Sequence, residues 1–329
     1  MDSFIFAVNA VSPLIIMAVI GYILKRIGFI PEGMPKILNK LVFRVFLPCM
    51  LFLNVYKIES LGGFDFGFAI YAVLSVFLIF LAAIPVVMAI NKSGARRGVM
   101  LQAVFRSNFA LIGIPLASSL CGDVGARIAA VLSAFAIPTF NILAVITLSI
   151  FNGSEGEGKK LSIKRILLDI VKNPLIDSIL VGFVALGIRA LLTHFGIEWR
   201  LTEIPPLFKV LESLSAVATP LALITLGAQF KISAIGGMKR EIIFSAIMRT
   251  VIVPTLALSV AYFFFNFEAA HFAAFVALFS TPVAVSSVPM TQEMGGDTEL
   301  AGQIVVWTTA AAGITIFLFT FILRLIGVF

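Results

Sequence analysis

Charge is scarce in this 329-residue chain. Asp, Glu, Lys and Arg together make up 12% of it, about half the share usual in water-soluble domains. A surface solvated by water needs more, which argues against a soluble enzyme or a nucleic-acid-binding domain. The formal net charge of +7 and the pI near 9.6 would otherwise suggest nucleic acid. Here the basic residues flank long apolar runs, where they carry a different meaning. Cysteine is nearly missing: Cys49 and Cys121 both lie in apolar stretches and make neither a disulfide framework nor a zinc site. The two histidines, His194 and His271, are far apart in sequence and form no metal motif. Neither a Ser–His arrangement nor paired aspartates stand out within the apolar runs, so an intramembrane enzyme lacks its chemistry.

What the chain does have is apolar residues, 60% of the total, with a mean hydropathy of +1.10. They fall into ten runs long enough to cross a hydrocarbon core of about 30 Å. The spans run from Phe4 to Leu24, Ile37 to Val55, Phe66 to Ile90, Val99 to Cys121, Val124 to Phe151, Pro174 to Leu192, Leu207 to Phe230, Ile242 to Phe265, Ala269 to Gln292 and Leu300 to Ile326. The first follows Met1-Asp2-Ser3 and ends at Lys25-Arg26 with no small-residue cleavage pattern, so it reads as a membrane helix rather than a cleaved signal. Fifteen Lys and Arg flank the loops after spans 1, 3, 5 and 7, against six on the other side. That asymmetry predicts the odd-numbered loops in the cytoplasm and both termini outside. Gly153 to Lys160 nearly matches a phosphate-binding loop, but it lacks the closing Ser/Thr and carries Glu155 and Glu157. It reads as a polar linker.

The two halves of the chain resemble each other. Ala103, Phe105, Ala110, Pro115, Gly122, Asp123 and Val131 coincide with Ala277, Phe279, Ala284, Pro289, Gly296, Asp297 and Val305 at one fixed offset, and Pro48 matches Pro220. Five spans per copy send the second copy in from the opposite side. The expectation is an all-α membrane protein of ten transmembrane helices, built as a 5+5 inverted repeat of the kind found in secondary transporters.

Spans 4 and 9 carry the breaks. Span 4 holds Arg106-Ser107-Asn108 and then Gly113-Ile114-Pro115; span 9 holds Thr281-Pro282 and Ser286-Ser287-Val288-Pro289. Proline removes a donor and clashes with the carbonyl four residues back, and Gly113 lowers the cost of an irregular backbone beside it. The expectation is that both helices are interrupted and cross, near Pro115 and near Pro282 or Pro289. Half-helix ends meeting there favour an anion, most simply a carboxylate. Asn108 brings two donors and an acceptor, with Ser107, Thr281, Ser286 and Ser287 beside it. Charges at membrane depth are functional candidates. Arg106 would add charge to the anion site, or else reach the membrane edge or pair with an acid. Arg249 and Asp177 are a candidate neutralising pair. Gln292 and Glu293 could bind a cation at the end of span 9, the plain alternative being a solvated helix end. Arg44 and Glu212 also lie within spans.

Asn108-Phe-Ala-Leu-Ile-Gly-Ile-Pro115 resembles the helix 4 crossover of the auxin efflux carrier family, which includes plant PIN-type carriers and bacterial malate and malonate carriers. Ile137-Pro138-Thr-Phe-Asn141, Asn173-Pro174-Leu175 and Thr219-Pro220-Leu221 match it too, in order and spacing over nearly the full length. The resemblance implies scaffold helices in residues 1–58 and 173–231, usually dimeric. It implies transport-domain helices in 59–151 and 232–329, with a cytoplasmic linker at 152–172. It carries Asn108, Pro115 and Pro282 over as crossover residues; the second helix 9 proline of the plant carriers falls here at Ser287. Ser107-Asn108 with Gly122-Asp123 also resembles the sodium–bile acid symporters, a related fold.

The combined expectation is a transporter of small organic anions (malate, malonate or auxin-like acids) in a bacterial inner membrane, working by alternating access. The substrate site would comprise Asn108, Ser107, Gly113, Pro115, Asn141, Thr281, Pro282, Ser286, Ser287 and Pro289. Charge or coupling would fall to Arg106, Asp177, Arg249, Gln292 and Glu293, with proton or sodium as the coupling ion and no cofactor, resident metal or nucleic acid. The partners would be the bilayer and a second copy of the chain. The alternatives are a sodium-coupled symporter of the bile acid type, or a sensor or channel on the same fold.

Overall fold

The computed structural model describes residues 2–58, 66–152, 167–168 and 170–329. The segment Gly153 to Lys160 and most of the linker 152–172 lie outside the described residues. Among the described residues all elements are helical. α1 is Asp2–Arg26, α2 Met34–Tyr56, α3 Phe66–Ile90 and α4 Gly94–Phe105. α5 covers residues 109–120 and α6 residues 123–152, parted by non-helical backbone at Cys121 and Gly122. α7 is Pro174–His194, α8 Pro205–Gln229, α9 Lys239–Phe264, α10 Ala269–Ser280, α11 Ser287–Glu293 and α12 Thr298–Leu325. Among the described residues, seven helical stretches are long and apolar enough to cross a membrane, α5 and α6 counting together.

Proline acts differently here from the expectation. Pro48, Pro115 and Pro254 each stand second in a helix that directly follows a π turn, at Val42–Phe46, Phe109–Gly113 and Met248–Ile252. A proline has no N–H for the carbonyl four residues back and its ring crowds that carbonyl. One extra residue in the preceding turn relieves both problems while the helix continues. Pro115 therefore does not interrupt span 4. The interruption lies at Arg106 to Asn108, between α4 and α5. In span 9 the chain leaves the helix after Ser280 and re-enters it at Ser287, so Pro282 lies in the break and Pro289 in the first turn of α11. A first-turn proline costs little, because that N–H has no partner in any helix.

α10 is the centre of the molecule. Ten of its twelve residues are buried, from Ala270 to Ser280, as fits a helix apolar on every face. α5, α6, α9 and α12 surround it. A second group forms around α8, where α1 and α2 pack, with α7 against α2. α1 and α8 approach to backbone contact: a Cβ on Gly21 would collide with the Ile224 carbonyl, and one on Gly227 with the Ala18 carbonyl. Small residues permit this in membrane proteins, where close van der Waals packing replaces a hydrophobic drive between helices.

Candidate anion site at the chain crossing

The two breaks meet. α4 ends at Phe105, and Arg106 turns extended, with φ −86° and ψ 116°. Ser107 pairs with Val283 in an isolated antiparallel bridge, and the Asn108 N–H donates to the Pro282 carbonyl at 2.7 Å. On the other side Thr281 is extended, with φ −73° and ψ 152°. The crossing thus satisfies part of its own unwound backbone, as the interior of a membrane protein demands. Gly113 contributes by proximity rather than by unwinding. A Cβ there would lie 2.9 Å from the Ala277 carbonyl of α10.

Arg106 is buried at 2% exposure. Its Nη1 donates to Gln102 Oε1 at 3.0 Å and Met290 Sδ at 2.9 Å; its Nη2 donates to Asn141 Oδ1 and Ser286 Oγ, each at 2.9 Å. Every one of these acceptors is neutral. No carboxylate pairs with Arg106 among the described residues, and an uncompensated buried charge carries a desolvation penalty of several kcal/mol. Next to it, Asn108 Nδ2 and Ser107 Oγ are buried without a hydrogen-bond partner among the described residues. Arg106, Ser107, Asn108, Asn141 and Ser286 line one small cavity of about 50 Å³, room for a few waters. α2 and α8 close it from the other group of helices through Asn54 and Thr219. A cation and two unused polar groups converge there.

The structure does not bring the remaining candidates to this cavity. Thr281 turns its hydroxyl back to the Ala277 carbonyl at 2.9 Å. Pro282 does not line the cavity; its carbonyl accepts from the Asn108 N–H within the crossing. Ser287 and Pro289 are buried within α11, and Pro115 lies beyond the π turn. α11 has seven residues; its N-cap Ser286 and Asn108, the N-cap of α5, line the same cavity, so two helix starts meet there, the first at Asn108 and not at Pro115. The proposed Arg249–Asp177 pair is absent: Asp177 is exposed in the first turn of α7, while Arg249 is fully enclosed and bonded to backbone carbonyls. Glu293 pairs with Arg44 at 3.3 Å and Glu212 with Lys57 at 2.7 Å. Gln292 bonds to Asn39, Gln229 and the Lys36 carbonyl. No cluster of three or more potential metal ligands occurs among the described residues.

Two lining residues escaped the sequence reading. Asn54 is an amide in the otherwise apolar stretch Leu47 to Val55, and that was its signal. Thr219 precedes Pro220 and was visible only within a stretch that resembles the carrier family.

Residues 6–320 match the family model described as membrane transport protein. An uncharacterized transporter of Methanothermobacter thermautotrophicus is 23% identical, covering 97% of this chain and 99% of its own. An uncharacterized transporter of Methanocaldococcus jannaschii is 24% identical, covering 75% of this chain and 76% of its own.

Proposed function

Because the chain belongs to the membrane transport protein family, the auxin efflux carrier family, we propose that it is a secondary transporter moving small organic anions by alternating access. The carrying observation is Arg106, a buried cation whose partners are all neutral, facing a cavity that also holds the unused Asn108 amide and Ser107 hydroxyl. A carboxylate accepts from all three at once. It supplies the charge that Arg106 lacks and the acceptors that Asn108 and Ser107 lack. Malonate, malate and auxin-like acids share that group.

The proposed architecture is ten spans in two inverted copies of five. The breaks at Arg106 to Asn108 and Thr281 to Ser286 begin within one residue of the positions that the repeat offset pairs. α1, α2, α7 and α8 are the scaffold, and the scaffold is where two copies of the chain would meet. The rest, with the crossing, is the moving part. Both termini lie outside the cytoplasm of a bacterial inner membrane. The cavity is too small for a multi-carbon acid as it stands, so the wall made by α2 and α8 has to part from the crossing during transport. At the Lys36 end, Asn39 donates to Gln229 Oε1 at 3.1 Å and Gln292 Oε1 at 2.9 Å, and holds the two groups together.

The test is counterflow in proteoliposomes loaded with labelled malonate, malate or indole acetate, with and without sodium and a pH gradient. Exchange that saturates for at least one acid supports the proposal, and the two gradients identify the coupling ion. Flux that neither saturates nor exchanges points to a channel instead.

A further inference from the structure

Arg249 occupies the π turn Met248–Ile252 of α9 and is 0% exposed. Its guanidinium donates to five backbone carbonyls: Nε to Thr281 at 2.8 Å, Nη1 to Val104 and Phe105 at 3.3 Å each, and Nη2 to Leu278 at 2.8 Å and Phe279 at 2.9 Å. Val104 and Phe105 are the last residues of α4. Leu278 and Phe279 lie in the last turn of α10, and Thr281 follows it. The final carbonyls of a helix have no partner within it, and each helix C-terminus carries about half a negative charge. Two twelve-residue helices end against one guanidinium, so its single positive charge is matched without a carboxylate.

Carbonyls freed by unwound helices at mid-membrane are the groups that coordinate small cations in transporters. Here a side chain from a third helix fills that place. We infer that Arg249 is a resident counter-cation of the crossing, a tethered guanidinium seated where an exchangeable cation would otherwise be held between the ends of α4 and α10. It acts as a positioning residue: it pins α9 to both breaks and neutralises the end of the crossing opposite in sign to the anion cavity. Consequently the crossing itself needs no bound alkali ion. Arg249→Ala leaves a planar, carbonyl-lined vacancy that accepts free guanidinium.

None of this depends on which anion is moved, so the test measures stability rather than transport. Purified wild type, Arg249→Ala, Arg249→Lys and Arg249→Met are melted in detergent with sodium, potassium, N-methylglucamine or millimolar guanidinium chloride at matched ionic strength. Arg249→Ala is expected to gain about 2–4 °C in Tm with guanidinium and nothing with N-methylglucamine, while wild type melts at the same temperature in all four salts. Where Arg249→Ala does not fold, Arg249→Lys against Arg249→Met decides: Lys keeps the charge and is expected to melt well above Met, which keeps only the bulk. Equal melting of Lys and Met, absence of guanidinium rescue in a folded Arg249→Ala, or a sodium-specific rise in wild type overturns the inference.

Discussion

The backbone N–H of Asn108 donates to the carbonyl of Pro282 at 2.7 Å, and this bond ties the two chain breaks into one unit. It settles which way Asn108 can act. Its main chain is committed to the crossing, while its side-chain Nδ2 remains without a partner among the described residues. Replacing the side chain therefore leaves the crossing intact and changes only the cavity.

Asn108→Ala is expected to weaken carboxylate binding by about 1–3 kcal/mol, roughly 5- to 150-fold, through loss of donors in a desolvated site. Asn108→Asp should be worse, because it puts a negative charge in the cavity of Arg106, offsetting that charge and repelling the substrate. Apparent affinity at matched expression measures both. An Asp variant as active as wild type would remove Asn108 from the site.

Arg106→Gln should separate binding from folding. The substitution gives up hydrogen bonds to four neutral acceptors, each worth about 0.5–1.5 kcal/mol. It also removes an unpaired buried charge whose desolvation costs several kcal/mol. The two effects are of similar size and opposite sign, so the substrate-free Tm is expected to stay within about 3 °C of wild type. Carboxylate binding should fall by about 100-fold or more, the usual effect of truncating one member of a buried charge pair. A large fall in Tm would mean that Arg106 is structural.

Much of this arrangement is legible in the sequence. Apolar run length gives the bounds of eight helices to within about three residues, the runs at spans 4 and 9 each cover two helices, and the repeat matches fall in both of these. The exact break in span 4 is not legible. Proline looks like the breaker, but Pro115 is accommodated by a π turn, and the chain unwinds at Arg106 instead, where nothing local forbids a helix. What holds that stretch extended is the bridge from Ser107 to Val283, a contact between residues far apart in sequence. Arg249 is a similar case. A buried arginine suggests an acid partner, so Asp177 was the natural choice. Helix-end carbonyls carry no residue signature, because every residue has one.

Gly227 tests the packing of α1 on α8. A Cβ there would collide with the Ala18 carbonyl, and backbone cannot yield as a flexible side-chain tip can. Gly227→Ala is expected to cost about 1–3 kcal/mol by overpacking, read as a lower Tm. Gly187→Ala, where nothing lies within 4 Å of the added methyl, is the control and should leave Tm unchanged or slightly higher, since alanine favours the helix. Equal melting of the two variants would mean that α1 and α8 are less closely packed.

The proposed orientation and gate can be read together. If both termini lie outside, Ser154→Cys resists an impermeant thiol reagent in intact cells and reacts in inside-out vesicles, with Cys49 and Cys121 first replaced. The Asn39–Gln229–Gln292 cluster then sits at the cytoplasmic end. Asn39 is fully buried, so Asn39→Ala is expected to cost about 1–3 kcal/mol by leaving Gln229 Oε1 without its donor and Gln292 Oε1 with Gln229 alone. Glu293→Gln is expected to cost under about 0.5 kcal/mol, because its partner Arg44 is 62% exposed and such pairs contribute little. The first change loosens α11 from α2 and α8 and the second barely does. A reporter Thr219→Cys on the cavity wall should therefore label faster from the cytoplasmic side in the Asn39→Ala background alone. Acceleration by Glu293→Gln instead would move the gate to the ion pair, and labelling from outside only would place the closed end of the cavity at the Lys36 side in both backgrounds.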